Sequence, residues 1–231
     1  MTTTLTAPAP TPPLRTSVGK KAVMAITGFV MIGFVVTHML GNLKFFLGAE
    51  HFDEYAAFLR TVGEPLVGHS WLLWGLRGVL LLSLVLHMWA AWSLTRQSRL
   101  ARPVRYAHTD RVQSTYASRT MRWGGVILLL FIVYHLLHMT VGTVHPDFHH
   151  GAVYENAIAG FQVPIVTIAY TVAMVALGLH MFHGFWSAFQ SLGRNSERLD
   201  TPLRTVSWLL AVVVVVGFLS VPWAVMLGVR P

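Results

Sequence analysis

Cysteine is missing from all 231 residues of the chain. That absence excludes disulfides, thiolate zinc sites and cysteine-ligated iron–sulfur clusters housed here, so any metal must be held by other atoms. Charge is scarce too. Asp, Glu, Lys and Arg together make up 11% of the residues, roughly half the share carried by a soluble domain. The sequence has no Gly-rich phosphate loop, no GxSxG elbow and no convincing internal repeat, which removes the common nucleotide-binding, hydrolase and solenoid readings.

What the chain has in abundance is apolar surface, with 54% hydrophobic residues. Five segments, about 22–43, 71–94, 121–144, 163–190 and 206–228, are long and apolar enough for a bilayer core that takes about 20 helical residues to cross. They occupy most of the sequence. The expectation is an all-α integral membrane protein: one bundle of five transmembrane helices over residues 18–231, with no separate soluble domain. The Thr- and Pro-rich start, "MTTTLTAPAPTPPLRTS", has almost nothing to bury, so residues 1–17 are expected to form a disordered tail. The first span lacks the short apolar region and small-residue cleavage site of a signal peptide, so it is expected to stay in the protein.

Basic residues set the expected orientation. Arg15, Lys20 and Lys21 precede the first span; Arg96, Arg99, Arg102, Arg105, Arg111, Arg119 and Arg122 lie between the second and third; Arg194, Arg198 and Arg204 lie between the fourth and fifth. The positive-inside rule places all of these in the cytoplasm, with the N-terminus inside and the C-terminus outside. The other side carries only Lys44, Arg60 and Arg230, among Glu50, Asp53, Glu54, Glu64, Asp147 and Glu155. The net charge of +8 is accounted for by this asymmetry and implies no nucleic acid, while the basic inner face suits a cytoplasmic partner. In the outer loop "GAEHFDEYAAFLRTVG", Phe52, Tyr55, Ala56 and Leu59 recur at helical spacing, which predicts a short amphipathic helix on the membrane surface.

Six of the 12 histidines fall inside spans: His38, His87, His135, His138, His180 and His183. Ionisable groups at such depth are costly and mark function. His38 lies 16 residues along the rising first span and His135 lies 13 residues beyond Arg122 on the rising third, about 24 and 20 Å up. His87 and His180 each lie 16 residues down a descending span, about 24 Å from the outer side. Two histidine levels result, one near each leaflet, each supplied by two different helices. A naked zinc or copper site would gather three or four ligands at one point, but the spans contain no Asp, Glu or Cys to help. One imidazole above and one below an iron, in an apolar slot, is the donor set of a b-type haem, and two levels predict two haems. Gly28, Gly33, Gly41, Gly124, Gly125, Gly178 and Gly184 would let a flat macrocycle approach the backbone or would serve helix packing. His135 and His138, like His180 and His183, share a helix face at i, i+3, so spacing does not choose between them.

With these residues in view, the chain resembles the single-chain, five-helix dihaem cytochrome b subunit of succinate dehydrogenases and fumarate reductases. The resemblance runs from about Val18 to near the end. It is sharpest at "RWGGVILLLFIVYH", residues 122–135, and "LHMFHGFW", residues 179–186. "THMLGN" and "LHMWAAW" look like the ligand regions of the first two helices. The resemblance implies His38 with His135 as axial ligands of an outer haem and His87 with His180 as those of an inner haem. Some dihaem fumarate reductases carry a Glu two residues before the fourth-helix ligand, where this chain has Gly178.

The function so implied is membrane-anchor and electron-carrier. A flavoprotein subunit oxidises succinate in the cytoplasm, an iron–sulfur subunit docks on the basic inner face, and a membrane quinone, menaquinone for preference, receives the electrons. The chain itself would not touch succinate. The complex would sit in a bacterial plasma membrane, among lipid, with room for a higher oligomer. Arg77, Glu64, His138 and His183 are the candidates for binding quinone or haem propionates. The same wiring serves fumarate reduction in reverse. A dihaem cytochrome b of a hydrogenase or formate dehydrogenase would instead take electrons at the outer face, which the large basic inner loop disfavours. A transporter with a histidine-lined cation path is the non-redox rival.

Overall fold

The computed structural model describes residue 14 and residues 16–101, 116–194 and 196–231. The expected tail, residues 1–17, lies almost wholly outside the described residues, as do Arg15, Arg102, Arg105 and Arg111. The described residues form helix α1 (Ser17–Asn42), α2 (Ala49–Thr61), α3 (Trp71–Leu100), α4 (Tyr116–Leu136), α5 (Val153–Phe161), α6 (Pro164–Ser191) and α7 (Glu197–Met226). A 3-10 turn, Leu43–Leu47, continues α1, and a π turn, Leu137–Val141, continues α4 until Gly142 ends it with φ +84°. A left-handed residue of this kind is the common way to stop a helix. At its start α1 is capped by Thr16, whose Oγ1 accepts the Gly19 N–H at 3.0 Å. Pro164 opens α6 at a position where its missing N–H costs nothing.

Five of these helices are long and apolar enough to cross a membrane, with mean hydropathy from 1.6 to 2.5 in their most apolar windows. They are α1, α3, α4, α6 and α7, as the hydropathy pattern predicts. Their ends differ from the apolar limits: α3 runs on to Leu100 and α7 begins at Glu197. Hydropathy marks the part of a helix that suits hydrocarbon, whereas caps and side-chain pairs decide where winding stops. In α7 the first turn is held by Arg204, whose Nε–H donates to Asp200 at 2.8 Å. The predicted surface helix is present as α2. Helix α5 is an element the sequence pattern does not announce; six of its nine residues are buried.

Packing is organised around α6, which lies against α1, α4 and α7, while α1 also packs along α3 and α7. Lipid offers apolar surface everywhere, so helices associate in it by close van der Waals fit and small residues. Gly217 of α7 admits the Met39 thioether of α1, and Gly178 of α6 admits Val215 of α7. Met39, Met181 and Val214 form the core of this three-helix contact. A second core closes the end of the bundle that holds α2 and α5. There Phe45, Phe52, Tyr154, Phe161 and Tyr170 pack with Val221 and Val225 of α7. Two bonds tie this cap down: the Tyr154 N–H donates to Asp53 at 2.9 Å, and the Tyr154 hydroxyl donates to the Pro231 carbonyl at 2.8 Å. By contrast α3 buries only Ser83 and Ala90, leaving Trp71, Leu81 and Trp92 more than 60% exposed. A face of that size is suited to acyl chains and not to water.

Candidate functional site

Around the bundle the packed neighbours run α3, α1, α6, α4. The diagonals of that arrangement, α1 with α4 and α3 with α6, are not among its packed pairs, and it is across these diagonals that histidines meet. His38 of α1 faces His135 of α4 with ring centroids 5.9 Å apart and planes crossing at 79°. His87 of α3 faces His180 of α6 at 6.2 Å and 56°. The two levels are set by α6: His180 belongs to one, and Tyr170, bonded to His135 at 3.1 Å, belongs to the other. Ten residues of helix separate these two, about 15 Å along the axis.

Second partners aim the rings. His87 donates Nδ1–H to the Met24 carbonyl at 3.0 Å, with the Thr27 hydroxyl at 3.3 Å beside it. A carbonyl can only accept, so this bond fixes the tautomer and leaves Nε2 with its lone pair free. His180 Nδ1 is buried without a hydrogen bond of good geometry, its backbone interaction being with Met121. Phe34 stacks on His38 at 5.2 Å and Phe131 on His135 at 5.8 Å, so the His38–His135 pair is walled by aromatic rings.

The glycines divide into two kinds. A Cβ on Gly28 would stand 3.5 Å from the His87 ring and one on Gly125 would stand 3.9 Å from that of His180, while Gly33, Gly124 and Gly184 face open space. Gly28 and Gly125 thus put bare backbone beside the His87 and His180 rings. Gly41 and Gly178 do not: the first lies under Tyr55 and the second against Val215, so both serve packing. Gly178 also shows why a glutamate has no place there, since its side chain would have to enter the α6–α7 contact.

His138 is fully buried beneath α5 and is not itself one of the facing rings. Its Nδ1 lies 3.1 Å from the same Tyr170 hydroxyl, Tyr134 stacks on it at 5.4 Å and His145 at 4.7 Å. His145 in turn donates Nε2–H to the Asn156 carbonyl at 2.8 Å. At the other end of the bundle His183 meets Trp186 edge-on, and with Phe182 and Arg204 the two line a small cleft. Asp200 organises that cleft by accepting from Trp186 Nε1–H and from Arg204, whose guanidinium lies 4.0 Å over the Trp186 ring. Lys20, only 7% exposed, lies at the same end over Trp89. Two further candidates stand apart from the facing pairs. Arg77 is exposed and stacks on Trp74 of its own helix, and Glu64 accepts from His69 at 2.9 Å in the exposed loop before α3.

Tyr170, Thr27 and the Met24 carbonyl are the site residues that sequence reasoning missed. A hydroxyl on an otherwise apolar span was the available signal for the first two; nothing local marks a helix carbonyl as an imidazole partner.

A multi-pass membrane helix bundle that holds two facing imidazole pairs is the class this fold and site define. The family model described as succinate dehydrogenase/fumarate reductase transmembrane subunit matches residues 95–219, more than half of the chain, and the chain belongs to that family. The match takes in His135 and His180 and ends short of His38 and His87 on the N-terminal side. No curated protein and no solved structure gives a match.

Proposed function

We propose that this chain is the cytochrome b membrane anchor of a succinate dehydrogenase, holding two haems b between His38 and His135 and between His87 and His180. The observation that carries this reading is the pair of facing separations, 5.9 and 6.2 Å, across helix diagonals that are not packed together. Two imidazoles sharing one metal at bonds of about 2 Å each would have ring centres about 6 Å apart. No group of three or more metal-ligating side chains occurs among the described residues. A two-imidazole donor set suits a metal whose other positions are already filled, which is the condition of haem iron. The close approach of bare backbone at Gly28 and Gly125 to the His87 and His180 rings supports the same fit.

When bound, the two haems supply one-electron transfer between a cytoplasmic iron–sulfur subunit, itself fed by a flavoprotein subunit, and a quinone in the membrane, menaquinone in our reading. The chain's own contribution is placement. Met24 and Thr27 hold the His87 ring with Nε2 directed away from α1, and Phe34 and Phe131 keep water from the His38–His135 level. The end with His183, Arg204 and Lys20 is taken as cytoplasmic, because its basic residues follow the positive-inside rule and offer cations for haem propionates or a docked partner. The α2/α5 end then faces outward, with Glu64, Arg77 and His138 as candidates near the outer quinone. We place the complex in a bacterial plasma membrane, where the same wiring serves succinate oxidation or, in reverse, fumarate reduction.

The test is a reduced-minus-oxidised absorbance spectrum of the purified complex with haem counted per chain, followed by succinate-dependent quinone reduction. Two b-type haems and quinone reduction support the proposal. Lack of b-type bands would remove it and favour a transporter.

A further inference from the structure

One hydroxyl joins two imidazoles in the outward half of the bundle. Tyr170 is buried on α6 and its oxygen stands 3.1 Å from Nδ1 of His135 and 3.1 Å from Nδ1 of His138. The geometry works because the two histidines, at i and i+3, present the same face of α4 and its π turn. Phe161 and Phe131 both meet the Tyr170 ring edge-on at 4.9 Å, so the phenol has little freedom to turn away.

A phenol has one proton to donate and accepts with its lone pairs. Of two Nδ1 atoms bonded to it, at most one can accept its single proton, so at least one donates to the oxygen. A neutral imidazole that uses Nε2 as a metal ligand carries its proton on Nδ1. His135 therefore donates to Tyr170, which leaves the phenol proton for His138 Nδ1 in the tautomer that carries the His138 proton on Nε2. Nε2 of His138 is buried with no partner and lies against Gly160, where a Cβ would come within 3.2 Å of it. In that tautomer His138 ends a chain of hydrogen bonds that begins at His135.

Resting on the two-haem reading above, we infer that Tyr170 is a positioning residue for the outer haem: it fixes the tautomer and orientation of His135 and sets that haem's reduction potential. A ligand imidazole that donates its other N–H becomes more basic and a stronger donor to the metal. A more basic ligand favours the oxidised, more positively charged iron. Tyr170 thereby lowers the outer potential, and the inner pair is unaffected because His87 relies on Met24 and Thr27 instead.

The experiment is a redox titration of the intact wild-type complex and its Tyr170→Phe variant, with both haems followed by absorbance and by electron paramagnetic resonance. Tyr170→Phe is expected to keep both haems and to shift only the outer one toward the reduced form. The shift should be on the order of tenfold in equilibrium constant, which for one electron is about 59 mV. Tyr134→Phe, which alters a phenol stacked on His138 and not bonded to His135, should leave both potentials unchanged. If Tyr170→Phe loses the outer haem, replacement by a fluorinated tyrosine keeps the shape and weakens the acceptor, and the outer potential should still rise. Unchanged potentials in whichever of these variants retains both haems would overturn the inference, as would an equal shift of both haems or an equal shift from Tyr134→Phe. A wild-type complex lacking two haems would overturn the underlying reading, and that result is seen before any variant is made.

Discussion

Replacing His87 by Ala separates the two imidazole levels most cleanly. The side chain lost makes one hydrogen bond of good length, to the Met24 carbonyl at 3.0 Å, and a weaker one to Thr27 at 3.3 Å. A neutral hydrogen bond contributes about 1 kcal/mol, small beside the roughly 5–15 kcal/mol that keeps a domain folded. The bundle should therefore assemble. The other level lies about 15 Å away along α6, beyond the roughly 7–10 Å within which substitutions couple. The expected outcome is one haem per chain in place of two, and a difference-spectrum amplitude reduced to about half, given that each level holds one haem. Haem is counted against protein in the purified complex, and His183→Ala, which alters the cleft with Trp186 and leaves the facing rings intact, serves as the comparison with two haems retained. Two haems in His87→Ala at normal protein level would refute the reasoning, as would loss of a haem in His183→Ala.

Gly28→Ala should be tolerated, because the added Cβ stands at an ordinary 3.5 Å from the His87 ring, whereas Gly28→Leu should displace the ring or fill the space beside it and lower inner-haem content in the same count. Gly178→Ala would press into Val215 and cost about 1–3 kcal/mol of packing between α6 and α7; a lower melting temperature of the detergent-solubilised complex, with both haems present, is the expected result. Charge moving outward between the levels crosses about 15 Å of a core about 30 Å thick, worth about 1.2 kcal/mol per electron for each 100 mV, or about 2.3 if the whole membrane is crossed. Membrane potential, negative inside, should therefore assist succinate-to-menaquinone transfer, and an uncoupler added to energised cells should slow it; an unchanged rate at fixed substrate and quinone pool would place quinone reduction near the inner level.

The membrane-helix class and the number of spans were legible from order and composition, because a bilayer imposes a length and a hydropathy on each crossing that no distant residue can alter. The surface helix α2 was legible for the same local reason, its apolar residues recurring at helical period. Helix α5 was not, since its burial comes from neighbours in α2, α6 and α7 and its own pattern is short. Nor could spacing separate His135 from His138 or His180 from His183, which share their helix faces. Only tertiary structure decided that His135 and His180 look across the bundle at His38 and His87, that Gly178 packs against Val215 while Gly28 lies beside the His87 ring, and that Tyr170 stands between two imidazoles. Those contacts join residues 35 and 63 positions apart, as in Tyr170 with His135 and His87 with Met24. Local period carries no information about such partners, because the diagonals of a bundle exist only once its helices have chosen their neighbours.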